Sequence, residues 1–328
     1  MPVKLIQKIR YIHPTIRKIG FFALKVIVAA LMLTILIRKM SFDRLYEALS
    51  LAKNQFILLA FLLLFFNVFL QFLKWLLVVY RENSLVKKRH VLFSLFVGMA
   101  LGLVTPGRVG DFGRTFFVKN VEWPRLLGLL MVDKLITLAV LYLVGIIGLS
   151  HFISMRMHPF VWLPIFLMTF GLVMLFLVFL LRPEILRSII SRYHRILSRY
   201  GALEKFMTGI EMATPWLTMR LMAITVVHTL TYCSQFVLLM LAFHKIPVLD
   251  GFLSAFAIMF TKSLLPIAIG DLGIRESASV YFLDQIDVPD VAAFNASFLL
   301  FAINILLPSL VGLVLLMIKR QNSTAAHG

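Results

Sequence analysis

Cysteine and acidic residues are scarce in this sequence, and each scarcity restricts the function of the protein. The 328 residues contain one cysteine, Cys233, which excludes a disulfide framework and a cysteine metal cluster. Neither HExxH nor the phosphate loop G-x-x-x-x-G-K-[ST] occurs, so zinc-protease chemistry and ATP hydrolysis are not indicated. Three aspartates at 284, 287 and 290 are more simply a solvated outer loop than a cation site. We therefore expect no metal and no cofactor.

Apolar residues dominate the composition. Hydrophobic residues make up 61% of the chain, charged residues make up 15%, and the mean hydropathy is +0.94. This is too apolar for a water-soluble protein of this length, so the sequence indicates an integral membrane protein. The net charge is +18, and the basic residues lie in short loops between apolar runs. The expected partner is thus an anionic lipid surface rather than nucleic acid.

Long apolar runs divide the chain into candidate spans. A helix needs roughly 20 apolar residues to cross about 30 Å of hydrocarbon. Six runs are candidates, including a first run without a signal-peptide cleavage site: 20–37, 55–80, 126–149, 158–181, 219–243 and 295–318. Two shorter runs end in helix breakers, 91–106 with TPG and 252–269 with LPIAIG. Each shorter run either crosses fully or returns to the same side as a re-entrant hairpin.

The distribution of lysine and arginine favours re-entrant hairpins. With the amino terminus inside and both short runs re-entrant, cytoplasmic segments hold 21 basic residues and external loops hold 7. If both runs crossed, the totals would be 13 inside and 15 outside. Because cytoplasmic loops are enriched in basic residues, we predict an all-α membrane protein with six full spans, two re-entrant helical hairpins and both termini cytoplasmic.

Three similarities in register predict an internal repeat, and one of them matches Asp43 and Arg44 with Glu204 and Lys205 at an offset of 161. GDFGR at 110–114 returns as GDLGIRE at 270–276, with an offset of 160 between Asp111 and Asp271. A polar i, i+4, i+7 pattern recurs at an offset of 161 in two sets: Asn67, Gln71 and Lys74, then His228, Tyr232 and Gln235. The predicted topology orients the two units oppositely. We interpret 41–149 and 202–318 as inverted repeats of a single transmembrane domain, with an amphipathic cytoplasmic connector at 182–218.

The polar hairpin ends are the candidate site. Glycine and proline break the helices at membrane depth, where exposed amides face an anion and arginine forks bind phosphate oxygens. The hairpin backbone residues are Pro106, Gly107, Gly110, Gly113, Pro266, Gly270 and Gly273. The candidate substrate-binding side chains are Arg108, Asp111, Arg114, Lys262, Asp271, Arg275, Glu276, Asn67, Lys74 and His228.

Structural roles compete with substrate binding at several positions. Charged residues at a hairpin tip also pair with each other or with lipid headgroups. For Lys74 we expect a side chain that snorkels to the membrane surface rather than a buried ligand. At Asn67 and His228 a hydrogen bond between helices competes with a substrate contact. Asp133, which precedes Lys134, is expected in a buried salt bridge. The candidates for carrying a coupled proton are Asp111, Asp133, Asp271 and Glu276.

Three segments carry a resemblance to a known family. LVTPGRVGDFGR, VDKLITLAVLYL and LLPIAIGDLGIRE resemble the signature segments of the lysylphosphatidylglycerol synthase transmembrane family, a flippase-like domain also found in multiple peptide resistance factor. The resemblance covers nearly the whole chain after residue 20. The sequence ends ten residues after its last span, so we expect a stand-alone member without the synthase domain. By matching positions, the resemblance implies that a lipid pathway contains Arg108, Asp111, Arg114, Arg275 and Glu276.

Together these observations lead us to expect a lipid translocator of the bacterial or archaeal cytoplasmic (inner) membrane. Its substrate would be an anionic phospholipid or a polyprenyl-phosphate lipid, whose headgroup it moves between leaflets. Whether it forms a homodimer stays open. One alternative is a membrane-embedded glycosyltransferase that uses polyprenyl phosphates, although no DxD motif occurs. Another is an accessory protein of a lipid-modifying enzyme.

Overall fold

A computed structural model describes residues 50–105, 107–181, 201–264 and 273–325, and these residues contain helices and loops but no strand. The α-helices in chain order are α1 (Asn54–Glu82), α2 (Lys88–Val104), α3 (Trp123–Ser154), α4 (Pro159–Leu181), α5 (Gly201–Glu211), α6 (Pro215–Phe243), α7 (Val248–Leu264), α8 (Ile274–Asp284), α9 (Asp290–Phe301) and α10 (Leu307–Ala325). A 3₁₀ helix covers Val109–Phe117, and a π-helical turn, Ala302–Leu306, joins α9 to α10.

Four helical stretches of the described chain are long and apolar enough to cross a membrane: α1, α3, α6 and the continuous stretch Asp290–Lys319. They contain the predicted spans 55–80, 126–149, 219–243 and 295–318. The predicted span 158–181 corresponds to α4, whose apolar stretch Phe160–Phe176 is shorter. The predicted span 20–37 lies outside the described residues.

Local sequence explains where the long helices begin. Pro124 occupies the first turn of α3, where its missing N–H costs no intrahelical hydrogen bond. At the start of α6, Thr214 caps the helix by accepting a hydrogen bond from the N–H of Leu217, 3.3 Å away. Pro215 follows this cap at the first helical position. Large apolar side chains then remain exposed along these helices, as Phe65 does on α1, which suits contact with lipid.

Helices α1 and α6 pack side by side in opposite directions. The N–H of Lys53, at the start of α1, donates to the carbonyl oxygen of Ala242 near the end of α6, 2.9 Å away. At the other end, Arg81 Nε donates to the carbonyl oxygen of Met212, just before α6, over 2.6 Å. The two polar helix faces predicted from periodicity belong to this antiparallel pair.

The first hairpin consists of α2 and the returning 3₁₀ helix, and its two ends meet. Asn83 Nδ2, just before α2, donates to the carbonyl oxygen of Asn120, just after the 3₁₀ helix, over 2.8 Å. The same end of the molecule holds the start of α3, where Arg125 Nη1 lies 3.9 Å from Glu82 Oε1. The hairpin thus enters beside the beginning of α3 and returns there.

The second hairpin consists of α7 and α8, and residues 265–272 between these helices lie outside the described residues. His151 Nε2, near the end of α3, lies 3.8 Å from Asp250 Oδ1 at the start of α7. Arg156 Nη1 donates to the hydroxyl of Tyr281, near the end of α8, over 3.5 Å. Both ends of this hairpin therefore lie beside the end of α3, opposite the first hairpin.

Close packing between α3 and α7 depends on two glycines one turn apart. A side chain at Gly148 would meet the carbonyl oxygen of Leu253, and one at Gly145 would meet the ring of Phe260. Glycine also brings α5 against α3, because a Cβ at Gly209 would overlap the backbone of Arg125. This contact involves the described part of the predicted connector; residues 182–200 of that connector lie outside the described residues.

The apolar core has two parts that α1 connects. One part includes Ala60 and Leu64 on α1 and packs with α6, α7, α8 and α9. The other includes Trp75 and Val79 on α1 and packs with α2 and α3. Between these two parts, α1 buries the polar residues Asn67 and Lys74.

Candidate functional site

A cavity of about 300 Å³ lies between α1, the first hairpin, α3, α6 and α7. Asn67 and His228, which both line it, each lie near the middle of a 29-residue helix. At 1.5 Å per residue, Asn67 is about 20 Å from the start of α1. The cavity thus lies at the level of the helix midpoints, where spanning helices are normally most apolar.

The polar faces of α1 and α6 meet at one wall of the cavity. Asn67 Nδ2 donates to Gln235 Oε1 over 2.9 Å and to Asn304 Oδ1 over 2.8 Å. Gln235 Nε2 in turn donates to the carbonyl oxygen of Ala60 over 2.9 Å. Of the two roles weighed for Asn67, the structure shows the hydrogen bond between helices. Asn304 lies in the π-helical turn, a local distortion that is frequent at functional sites.

The tip of the first hairpin brings a strained arginine to the cavity. Gly107 and Arg108 both have left-handed backbone conformations, with φ of 59° and 57°. For a residue with a side chain this conformation costs about 1–2 kcal/mol. The turn is held by Thr105 Oγ1, which accepts from the N–H of Gly110 over 2.6 Å. Arg108 lines the cavity and forms no ion pair within the described residues.

Asp111 lies between two cations on the same side of the cavity. Lys134 Nζ, from α3, donates to Asp111 Oδ2, and Arg114 Nη1 lies 3.9 Å from Asp111 Oδ1. The Arg114 guanidinium also packs over the Trp75 ring, 4.2 Å from its centroid. Because neighbouring cations favour an ionised carboxylate, this arrangement suits a positioning role for Asp111 better than proton release.

Lys74 is buried rather than snorkelling, contrary to expectation. Its Nζ lies 2.8 Å from Asp133 Oδ1 and donates to Thr137 Oγ1 over 2.8 Å. The side chain is 8% exposed. The physical reason is that α3 places a carboxylate and a hydroxyl within hydrogen-bonding distance of the lysine ammonium group. Asp133 forms the expected buried salt bridge, with Lys74 as its partner, and its neighbour Lys134 pairs with Asp111 instead.

Several polar atoms around the cavity have unused hydrogen-bonding capacity. Within the described part of the chain, no hydrogen-bond partner is present for the buried atoms Arg114 Nε, His228 Nε2 and Tyr232 Oη. All three side chains line the cavity, and Arg114 is only 5% exposed. The ammonium group of Lys262, another lining residue, lies 5.6 Å from the centroid of the Tyr232 ring.

The described lining carries excess positive charge. Its five cations are Lys74, Arg108, Arg114, Lys134 and Lys262. Its two carboxylates, Asp111 and Asp133, leave a formal charge of +3 when His228 is neutral. Desolvated cations at this depth are costly unless an anion accompanies them. The arrangement is therefore suited to holding an anion, and arginine forks are suited to phosphate oxygens.

The charged pair of the second hairpin lies away from the cavity lining. Arg275 and Glu276 are both 0% exposed and pair with each other. Arg275 Nε donates to Ser297 Oγ over 3.0 Å, and the N–H of Gly273 donates to Glu276 Oε2 over 2.7 Å. Gly273, with φ of 86°, is the N-cap residue just before α8. Thus, among the described residues, the structure gives these two side chains contacts between α8 and α9 rather than a place in the lining.

The structure places some of the predicted site residues in the cavity lining and others elsewhere. Those that line the cavity are Asn67, Lys74, Gly107, Arg108, Asp111, Arg114, Asp133, His228 and Lys262. Those that lie outside the described residues are Pro106, Pro266, Gly270 and Asp271. Gly110 and Gly113 instead pack against Leu101 of α2, where an added Cβ would overlap it.

The lining also contains polar residues that were absent from the predicted set, among them Lys134, Thr137 and Asn304. The run DKLIT at 133–137 carried a usable signal, because three polar residues interrupt an otherwise apolar helix. Asn304 gave a weaker signal, because it is a single amide side chain among apolar residues of a predicted span. Among the described residues, no group of three His, Cys, Asp or Glu side chains could hold a metal ion.

Comparison with known proteins adds family evidence to this geometry. No curated protein matches the chain. A family model described as the lysylphosphatidylglycerol synthase TM region matches residues 22–312, which is most of the 328-residue sequence. The match includes both hairpins and every residue that lines the cavity. The chain belongs to this family of membrane proteins.

Proposed function

We propose that the protein moves a phosphate-bearing lipid headgroup between the two leaflets of the membrane. The observation that carries this proposal is the cavity: five cations against two carboxylates, at the middle of apolar helices. Family membership supports a role linked to membrane lipids. In this proposal the headgroup occupies the polar cavity while the lipid tails stay in the hydrocarbon.

In this proposal the cavity lowers the free-energy cost of moving a charged headgroup through the membrane. A charge at the centre of a bilayer costs about 3 kcal/mol or more. Arg108, Arg114 and Lys134 offer that charge cationic partners where water is scarce. The Lys134 side chain retains 36% exposure, so the cavity is not sealed from its surroundings. A headgroup would exchange its water shell for these fixed groups on entry.

The hairpins offer a means of opening the cavity to each side in turn. One hairpin has both ends beside the start of α3, and the other has both ends beside its end. In the proposed arrangement, six spans and two re-entrant hairpins form inverted repeats at 41–149 and 202–318, and each hairpin acts as a gate. Asp271, which lies in the sequence between α7 and α8, is proposed to meet the headgroup from that side.

Reconstitution into liposomes tests the proposal. Phosphatidic acid and phosphatidylglycerol, each labelled on one acyl chain with NBD, are placed in both leaflets, and external dithionite then destroys the label in the outer leaflet. Loss of fluorescence beyond the outer-leaflet share reports crossing. We expect protein-dependent crossing of at least one of these lipids, and Arg108→Ala should reduce its rate by about tenfold or more because it removes a bidentate phosphate contact.

Arg89→Ala is the matched control. Arg89 lies in the first turn of the same hairpin, is exposed and does not line the cavity, so its loss removes the same charge without touching the site. Equal rates in Arg108→Ala and the unmodified protein would remove Arg108 from the pathway. Rates equal to those of protein-free vesicles would refute translocation, and chemical conversion of the labelled lipid would indicate an enzyme instead.

A further inference from the structure

We infer that the headgroup held in this cavity is a phosphomonoester, with two negative charges on one terminal phosphate. The inference rests on the proposed function and narrows its substrate. It follows from two independent features of the lining, its net charge and its unused hydrogen-bonding atoms.

The charge balance favours a dianion even when the second hairpin is left out. Without Lys262 on α7, four cations remain: Lys74, Arg108, Arg114 and Lys134. Lys74 is neutralised by Asp133 at 2.8 Å, and Lys134 by Asp111. Because Asp111 also lies 3.9 Å from Arg114, the remaining formal charge of +2 is shared by Arg108, Arg114 and Lys134. A phosphomonoester carries about −1.5 to −2 at neutral pH, which matches this charge.

The hydrogen-bonding capacity also fits a terminal phosphate. Within the described residues, Arg114 Nε, His228 Nε2 and Tyr232 Oη are buried without a hydrogen-bond partner. A phosphomonoester presents three terminal oxygens as acceptors, whereas a diester presents two. Arg108 adds a guanidinium with no ion pair among the described residues. A terminal phosphate would therefore use groups that are otherwise buried at a cost.

The same charge disfavours other common headgroups. A phosphodiester such as that of phosphatidylglycerol carries one negative charge and leaves the lining positive. A lysyl ester of phosphatidylglycerol adds two ammonium groups to that phosphate, so its headgroup has a net charge of +1. The lining would repel such a headgroup. We therefore expect lysylphosphatidylglycerol, the lipid in the family's name, to be transported poorly.

Phosphatidic acid and phosphatidylmethanol provide the sharpest comparison, because they differ by one methyl group and one charge. Both are labelled with NBD on an acyl chain and compared with lysylphosphatidylglycerol in the dithionite assay. We expect phosphatidic acid to cross at least about tenfold faster than either, since each added charge interacts with both arginines. Arg108→Gln should reduce this ratio, and the exposed control Arg89→Gln should not.

A binding measurement separates this inference from translocation itself. In detergent, the thermal unfolding temperature is measured with dihexanoyl phosphatidic acid, with dihexanoyl phosphatidylmethanol and with inorganic phosphate. Selective stabilisation by phosphatidic acid, without crossing in vesicles, would support the inference and refute the proposed transport. Equal crossing of phosphatidic acid and phosphatidylmethanol would overturn the inference and leave transport standing. Stabilisation by inorganic phosphate alone, or uptake of phosphate into vesicles, would assign the site to a free anion and overturn its lipid assignment.

Discussion

Replacing Asp133 by asparagine tests the ion pair that joins α1 to α3. Lys74 Nζ lies 2.8 Å from Asp133 Oδ1, and the side chains are 8% and 7% exposed. At an effective dielectric constant of about 20, two unit charges at this separation attract by about 6 kcal/mol. Asp133→Asn removes this attraction but leaves the lysine buried. The free energy of unfolding should fall by about 3–5 kcal/mol.

A double replacement separates the cost of a stranded charge from the value of the pair. Lys74→Met with Asp133→Leu removes both charges at similar volume. Replacing a buried ion pair in this way is often neutral or stabilising by about 1–4 kcal/mol. We expect the double variant to recover most of the stability that Asp133→Asn loses.

Both variants are measured by titrating the protein in detergent micelles with SDS and following unfolding by circular dichroism. Lys205→Met is the matched control, because Lys205 Nζ and Glu122 Oε1 are also 2.8 Å apart but 49% and 40% exposed. Water and salt screen such a pair, so its loss should cost only a small fraction of the Asp133→Asn effect. A loss for Asp133→Asn no larger than for this control would refute the argument from burial, as would a double variant no more stable than the single one.

Two further predictions concern the backbone. Gly148→Ala places a Cβ 2.5 Å from the carbonyl oxygen of Leu253, so its unfolding free energy should fall by about 1–3 kcal/mol in the same SDS titration. Gly171→Ala, where nothing lies within 4 Å, should not be destabilising, and an equal loss there would contradict the packing argument. Arg108→Gly should be more stable than Arg108→Ala by about 1 kcal/mol, because glycine adopts the left-handed conformation without strain, while both lose transport. Equal stabilities would contradict this account of the turn.

Periodicity and hydropathy predict much of this fold, because they record which face of a helix meets other helices. The i, i+4, i+7 pattern on α1 and α6 predicts inward polar faces, and the structure brings Asn67, Lys74 and His228 to one cavity. The ends of α2 and α7 follow from the glycines and prolines after them. These signals are local in sequence.

No local sequence pattern shows which residues pair when they are far apart in the chain. Lys74 is buried because Asp133 lies opposite it on another helix, 59 positions later in the sequence, and nothing around Lys74 predicts that partner. The motif GDLGIRE likewise does not reveal that Arg275 and Glu276 neutralise each other. Similar sequence in two halves predicts similar local structure, whereas exposure depends on what each half packs against.

The complete enclosure of Arg275 and Glu276 has a practical consequence for the study of this protein. Dissolved ions shield charges that they can approach, and these two are beyond their reach. Lys134 on α3, by contrast, keeps 36% of its side chain exposed. Ionic strength should therefore weaken the contact between Lys134 and Asp111 while it leaves the Arg275–Glu276 pair unchanged.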